Sequence, residues 1–100
     1  DISSVCGSFN FEINKNKIKE AFIAFGGMAA VPKRAKACEK ILKNKPLTIN
    51  TFDQAKNYLE KDLNPIGDMR ASKEYRLEIA KNLLMKCFIE INSNKLTRVN

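Results

Sequence analysis

The strongest constraint on the fold is a pair of strand patterns near the start of the chain. From Val5 to Ile13 apolar residues alternate with polar ones, and this period of two is typical of a half-buried β-strand. A second strand is predicted from Ile18 to Phe25, because this segment begins amphipathic and ends apolar on both faces, as a covered central strand does. Residues 14–17, Asn-Lys-Asn-Lys, favour a turn. The chain therefore begins with a predicted antiparallel hairpin.

A glycine pair, Gly26 and Gly27, ends the second strand. Glycine permits positive φ or the close approach of another backbone, and a tight bend is the simpler interpretation. The pair belongs to neither of the common glycine-rich phosphate-binding patterns. Met28 to Val31 is predicted to form a short third strand, which Pro32 stops.

Helical spacing of apolar residues begins after the strands. A first helix is predicted from Lys33 to Lys43, with Pro46 just beyond its end. Thr51 and Gln54 match a capping box, so a second helix is predicted to begin at Thr51 and to continue to Leu63. An Asn-Pro pair follows and closes it.

The last helix is the longest. Ser72 is its predicted N-cap, with Glu74 in the first turn, where the helix dipole favours an anion. Residues 92–100 are polar and are predicted to form a tail outside a domain that spans 1–91. Strands followed by helices indicate an α+β fold, a two- to three-stranded antiparallel sheet with three helices packed on one face. The apolar stripe of the last helix comprises Leu77, Ala80, Leu84, Phe88 and Ile91, thickened by Leu83 and Cys87.

Residues 65–72, PIGDMRAS, are interpreted as a fixed connector between the second and third helices. Pro65 ends one helix, Gly67 permits the bend and Ser72 starts the next helix. Arg70 has a guanidinium fork that can bind the carbonyl groups at a helix end, so it is predicted to tie the loop rather than to contact a ligand.

Charge and cysteine content restrict the possible functions. The chain of 100 residues carries a net charge of +7, but its 18 Lys and Arg are scattered and form no run of five. A solvated lysine surface is therefore favoured, and the alternative is a small basic module that binds RNA or an anionic protein. Exposed phenylalanines on the sheet would support the alternative, whereas burial under the helices is the simpler prediction for Phe9, Phe11, Phe22 and Phe25.

The residues give no sign of a catalytic or metal site. Histidine is absent, and the three cysteines lack the close spacing of zinc or iron–sulfur ligands, so they are interpreted as free, apolar thiols in a reducing cytoplasm. Glu12 and Glu20 are expected to face each other across the hairpin as solvated charges. Tyr58 and Tyr75 are expected to pack on the helices. The sequence pattern predicts neither a signal peptide nor a membrane-spanning stretch within these residues.

Three segments together resemble one known family. DISSVCGSF, AFGGMAAVPKRA and PIGDMRASKEYRLEIAKNLL are similar to the C-terminal domain of the FAD-binding subunit of molybdenum hydroxylases. This family includes xanthine dehydrogenase and carbon monoxide dehydrogenase, and the resemblance is strongest to the small subunit of bacterial xanthine dehydrogenase. It extends to about Ile91. The chain also begins at Asp1 without a methionine, and it is expected to be a piece of a longer protein.

The resemblance implies an accessory domain of an oxidoreductase that is inactive by itself. A larger N-terminal region would hold most contacts to FAD, while molybdopterin and [2Fe–2S] clusters would lie in partner subunits or domains. The flavin would pass electrons from the clusters to NAD⁺. Asp1 and Ile2, with Ser3, match the end of a loop near the flavin and are the candidate cofactor-binding residues. The resemblance implies no catalytic residue, no metal ligand, and neither nucleic-acid nor membrane binding.

Overall fold

The chain forms an antiparallel sheet with helices on one face. The structure is a computed structural model and describes residues 5–27, 32–63 and 70–97. The strands are β1 (Cys6–Asn14), β2 (Lys17–Gly26) and β3 (Lys33–Arg34), in the spatial order β1-β2-β3. The helices are α1 (Lys36–Leu42), α2 (Ile49–Ala55), α3 (Leu59–Asp62) and α4 (Arg70–Thr97), and a 3₁₀ turn at Lys56–Tyr58 joins α2 to α3. Because α2, the turn and α3 are consecutive, the described chain has three helical regions, and the predicted α+β fold is confirmed.

The hairpin of β1 and β2 follows the sequence pattern. Its turn residues Lys15 and Asn16 have φ of 52° and 63°, the positive values of a tight hairpin turn whose twist matches that of the strands. Phe9 pairs with Ile23 on the face toward the helices. Gly27 directly follows β2 with φ of 86°, a backbone conformation that favours glycine at the predicted bend.

The first helix begins later than predicted. Lys33 and Arg34 form β3, and α1 starts at Lys36. Arg34 pairs with Ala24 on β2, and the Ala35 N–H donates to the Ile23 carbonyl at 2.8 Å. Helical spacing alone misses this boundary because pairing with β2 provides hydrogen bonds that local sequence does not reveal.

The predicted third strand at 28–31 lies outside the described residues. The connector residues Pro65 and Gly67 and the side chain of Arg70 also lie outside them. The tie assigned to Arg70 therefore stays a prediction.

The capping box assigned to Thr51 is wrong by one turn. Thr48 is the N-cap: its backbone is extended, and its Oγ1 accepts from the Thr51 N–H at 3.3 Å. Thr51 thus occupies the third helical position, where its hydroxyl lies 3.1 Å from that of Thr48. Both threonines can cap a helix, and the extended backbone of Thr48 decides between them.

Helix α4 is longer at both ends than the sequence predicts. Its backbone is helical from Arg70, so Ser72 lies inside the helix rather than at its N-cap, and it continues through the polar residues as far as Thr97. The predicted apolar stripe is confirmed, since Ala80, Leu84 and Phe88 are buried. The domain boundary at 91 stays a prediction, because a helix can extend beyond the core that anchors it.

Aromatic rings connect the sheet to the helices. Phe52 on α2 lies between Phe11 of β1, at a ring-centroid distance of 5.7 Å, and Phe88 of α4, at 5.0 Å. Phe9 and Phe25 meet edge to face at 5.6 Å on the same side of the sheet. Ring pairs of this kind stabilise a fold by about 0.5–1.5 kcal/mol beyond the area that they bury.

A buried carboxylate completes the hydrogen bonding at the edge of β2. The Ala35 carbonyl accepts from the Glu39 N–H at 3.0 Å to start α1, so it does not serve as the partner of the Ile23 N–H. Glu39 Oε2 accepts from Ile23 N at 2.8 Å and also from Arg34 Nε at 2.8 Å. Glu39 thereby connects the sheet edge to the helix that grows out of it.

A second carboxylate fixes the start of α1. Its N-cap residue, Ala35, has no side chain that can accept a hydrogen bond. Asp62, at the end of α3, accepts from Ala37 N and Cys38 N, each at 2.8 Å. A residue 24 positions away from Cys38 in the sequence thus performs the capping function that is usually local.

We expect Glu39→Ala to lower the free energy of unfolding by about 1–3 kcal/mol, because it leaves the buried Ile23 N–H without an acceptor. Glu20→Ala is the control: its carboxylate is exposed, pairs with Lys43, and should change stability by less than about 0.5 kcal/mol. Urea unfolding followed by circular dichroism measures both. Equal losses in the two variants would contradict the role of Glu39.

We also expect Asp62→Ala to destabilise the chain by about 1–2 kcal/mol, since two N–H groups at the start of α1 lose their acceptor. Asp53→Ala removes an exposed carboxylate that pairs with Lys56 and serves as the matched control. Hydrogen exchange at Ala37 and Cys38 should accelerate in Asp62→Ala alone. Unchanged exchange at these two amides would show that Asp62 does not cap α1.

Candidate functional site: the outer face of the sheet

The two cofactor-binding candidates from the sequence, Asp1 and Ile2, lie outside the described residues. Within the described ranges, no three acidic, cysteine or histidine side chains are grouped so that they could hold a metal ion. The remaining candidate surface is the face of the sheet that the helices leave uncovered.

The predicted carboxylate pair is present, but it does not form a catalytic site. Glu12 pairs with Glu20 across the hairpin, as the sequence predicts. Glu20 is 61% exposed and forms a salt bridge with Lys43 at 3.2 Å. Water screens such charges, so neither carboxylate has the environment of a general acid or base.

The tyrosines do not pack as predicted. Tyr58 is 39% exposed and Tyr75 is 58% exposed. Tyr58 lines a shallow, open groove with Asn57, Glu60 and Lys61. The groove is too open to enclose a cofactor, because ligand sites bury most of the surface of their ligand.

An uncharged patch covers one end of the outer face, and we call it the outer patch. It is formed by three cross-strand pairs: Cys6 with Gly26, Ser8 with Ala24, and Asn10 with Phe22. The polar members of β1 alternate with the inward phenylalanines, so the sequence pattern already places Cys6, Ser8 and Asn10 on the outer face. The position of Phe22 among them is what the pattern misses.

Phe22 lies on the outer face of the sheet, where the side chain of Arg34 packs against its ring. The guanidinium carbon of Arg34 lies 4.5 Å from the centre of the Phe22 ring, in a cation–π arrangement. Glu39 binds Arg34 through Nε and holds it there. Phe22 remains 40% exposed, against the prediction of burial, whereas Phe25 is buried and Phe9 and Phe11 pack against the core.

The three cysteines differ in their surroundings, and each is a free thiol. Burial raises the pKa of the Cys38 thiol to about 12, and the negative charges of Asp62 and Glu39 act in the same direction. Burial, together with Glu90, raises the pKa of Cys87 to about 11. Cys6 is exposed on the outer patch, so the interpretation as an apolar packing residue is wrong for Cys6.

Within the described residues no helix has both the length and the hydropathy that a membrane crossing needs.

A protein family matches most of the chain. The family of the CO dehydrogenase flavoprotein C-terminal domain matches residues 1–91. This range contains the sheet and most of the helical layer, including the apolar stripe of α4.

Two curated relatives match most of the chain. It is 29% identical over 90 residues, 90% of its length, to the xanthine dehydrogenase FAD-binding subunit of Escherichia coli O157:H7. It is 32% identical over 80 residues, 80% of its length, to the glyceraldehyde dehydrogenase medium chain of Sulfolobus acidocaldarius. The chain spans only 31% and 28% of these two relatives.

A solved structure shares the fold. Quinoline 2-oxidoreductase from Pseudomonas putida 86 superposes with a TM-score of 0.72 at 21% identity, over 86% of this chain and 30% of the other. At that identity the likeness concerns the fold alone.

We expect Cys6 to be alkylated first when the folded chain is treated with iodoacetamide at pH 8. With a pKa of about 12, Cys38 has a thiolate fraction on the order of 10⁻⁴ at this pH, and only the thiolate reacts. Reactivity of Cys87 should rise as the pH approaches 11. Peptide mass spectrometry measures the three rates, and the urea-unfolded chain, in which all three should react alike, is the control. Equal rates in the folded chain would contradict these environments.

Proposed function

The chain belongs to the CO dehydrogenase flavoprotein C-terminal domain family, and we propose that it is the non-catalytic C-terminal domain of the FAD-binding part of a molybdenum hydroxylase of the xanthine dehydrogenase type. The observation that carries this proposal is the family match over residues 1–91, together with a relative that is itself named an FAD-binding subunit. Because the chain spans 31% of that relative, the activity is assigned to the longer protein and not to these residues.

The described residues do not fit an iron–sulfur or molybdenum centre. Within the described ranges no three cysteine, histidine or acidic side chains are grouped so that they could share a metal centre, and Cys6, Cys38 and Cys87 lack the close spacing of cluster ligands. Cys6 lies on the opposite face of the sheet from the helical layer that contains Cys38. We therefore place molybdopterin and the [2Fe–2S] clusters in partner subunits or domains.

We propose that the flavin site lies mostly outside the described residues. The groove lined by Asn57, Tyr58, Glu60 and Lys61 is open, whereas cofactor sites bury most of the surface of their ligand. FAD would be bound mostly by the region that precedes this domain, with Asp1 and Ile2 as the candidate contacts from this chain. In the assembled enzyme the flavin would carry electrons from the clusters to NAD⁺.

The role that suits this structure is mechanical support. Glu39 and Asp62 fix α1 against the sheet and against α3, and the phenylalanine contacts fix the sheet against α4. A domain tied together in this way presents a surface of constant shape to a neighbouring flavin region. The three free thiols suit a reducing cytoplasm, where we place the enzyme.

The alternative function, a basic module for RNA or an anionic protein, depends on exposed aromatic side chains. Of the four sheet phenylalanines, Phe22 is 40% exposed, Phe25 is buried, and Phe9 and Phe11 pack against the core. RNA-binding sheets usually stack two or three bases on aromatic rings. For such binding, the logarithm of the affinity would fall linearly with the logarithm of the salt concentration. The family match favours the accessory domain.

We expect the isolated chain to bind no FAD when it is titrated and flavin fluorescence is followed. A cooperative thermal transition, recorded on the same sample, shows that the chain is folded. As the matched control, the full subunit, which includes the preceding region, should purify with bound flavin. Saturable quenching of FAD by the isolated chain would place a flavin site within these 100 residues and would refute the assignment of the flavin site to the preceding region.

A further inference from the structure

We propose that the outer patch, together with Arg34, is the surface on which the preceding flavin-binding region of the same subunit packs. This inference rests on the proposed function, because it takes the chain to be the C-terminal domain of a longer subunit. It adds which face of the domain receives that region and which residues form the contact.

The outer patch resembles an interface core in its lack of Lys, Asp and Glu and in its aromatic ring beside an arginine. The chain has 29 charged residues, from 18 Lys and Arg and 11 Asp and Glu, yet the patch contains no Lys, Asp or Glu. Glu12, Glu20 and Lys17 occupy the other end of the hairpin. Interface cores are depleted of Lys, Asp and Glu and enriched in aromatic residues and Arg, and here Phe22 and Arg34 are the two large side chains.

Phe22 and Arg34 are held in place before any partner arrives. Glu39 is 9% exposed and binds Arg34 Nε at 2.8 Å, and Arg34 in turn lies 4.5 Å from the Phe22 ring centre. The side chain of Arg34 is 47% exposed, so its guanidinium group is accessible to a partner. An aromatic ring and a guanidinium group that are already ordered lose little entropy on binding, and such residues dominate binding energy at interfaces.

The path of the chain identifies the occupant. β1 begins at Cys6, which pairs with Gly26 at the uncharged end of the outer face. The family is that of a C-terminal domain, and the relatives are about three times as long as this chain, so most of the subunit would precede β1. That region would enter beside the outer patch, and covalent linkage would give it a high effective concentration there.

Cys6 is a built-in reporter of this contact. In the full subunit, alkylation of Cys6 should be slow, because a buried thiol reacts only when the contact opens transiently. The control is the thiol introduced by Asn14→Cys in a Cys6→Ser background. Cys6 should react at least about tenfold more slowly than this control thiol. Asn14 ends the same strand on the same face but lies beyond the outer patch. Peptide mass spectrometry assigns the rate to each thiol.

A substitution within the outer patch should remove the protection. Phe22→Asp introduces a charge into the contact and should raise the Cys6 rate to that of the control thiol, whereas Asn14→Asp adds the same charge outside the outer patch and should leave Cys6 protected. Should Phe22→Asp prevent folding of the subunit, Ser8→Asp tests the contact at an exposed position.

The result that overturns the inference is a native subunit in which Cys6 reacts as fast as the control thiol. If the protection of Cys6 increases with protein concentration, the outer patch binds a second copy of the chain. If Cys6 is protected only after an RNA or an anionic protein is added, the outer patch binds that partner. Each of these two outcomes overturns the inference. The flavin absorbance of the same sample tests separately whether the subunit binds FAD, as the proposed function requires. A yellow subunit with reactive Cys6 loses the docking surface alone, and a colourless subunit with protected Cys6 loses the flavin assignment alone.

Discussion

The structure depends on a carboxylate at the point where a strand becomes a helix. Ala35 lies between β3 and α1: its N–H donates to the Ile23 carbonyl of β2, and its carbonyl accepts from the Glu39 N–H as the N-cap of α1. This carbonyl therefore does not also serve the sheet. Glu39 provides the missing acceptor for Ile23, and the same oxygen holds Arg34. A sheet edge with an unsatisfied buried amide would be costly, and this carboxylate allows β3 to be only two residues long.

At the other end of β2, backbone groups outside the sheet also satisfy the hydrogen bonds of the strand edge. The Ile18 N–H donates to the Lys45 carbonyl, and the Ile18 carbonyl accepts from Asn44. The residues that follow α1 therefore cover the edge that β3 leaves open, and Asn44 adopts φ of 66° to make this turn. Exposed strand edges invite association with other chains; here α1 and its flanking segments occupy much of the β2 edge.

The two faces of the sheet thus have separate tasks. The inner face joins Phe11 to Phe52, and through it to Phe88 on α4, which gives the domain its rigidity. Of the outer face, Cys6, Ser8, Asn10 and Phe22 do not belong to that core. Under the docking proposal, these residues contact the region that precedes the domain. Glu39 serves both faces of the sheet. It accepts the hydrogen bond of the Ile23 N–H at the edge of β2, and it also positions Arg34 over the Phe22 ring. Under the docking proposal, the contact surface and the stability of the domain would then both depend on the Glu39 side chain.

The sequence alone determined the hairpin, the α+β order of elements and the buried stripe of α4, because each rests on a local period of two or of 3.6 residues. Resemblance, carried by three separated segments, added the family. Tertiary structure decided what local periodicity does not encode: the switch from strand to helix at Ala35, the capping of α1 by Asp62 and the exposure of Phe22 beside Arg34. Each of these depends on a hydrogen bond or ring contact between residues far apart in the sequence or on different elements, and such a contact exists only once the chain has brought its partners together.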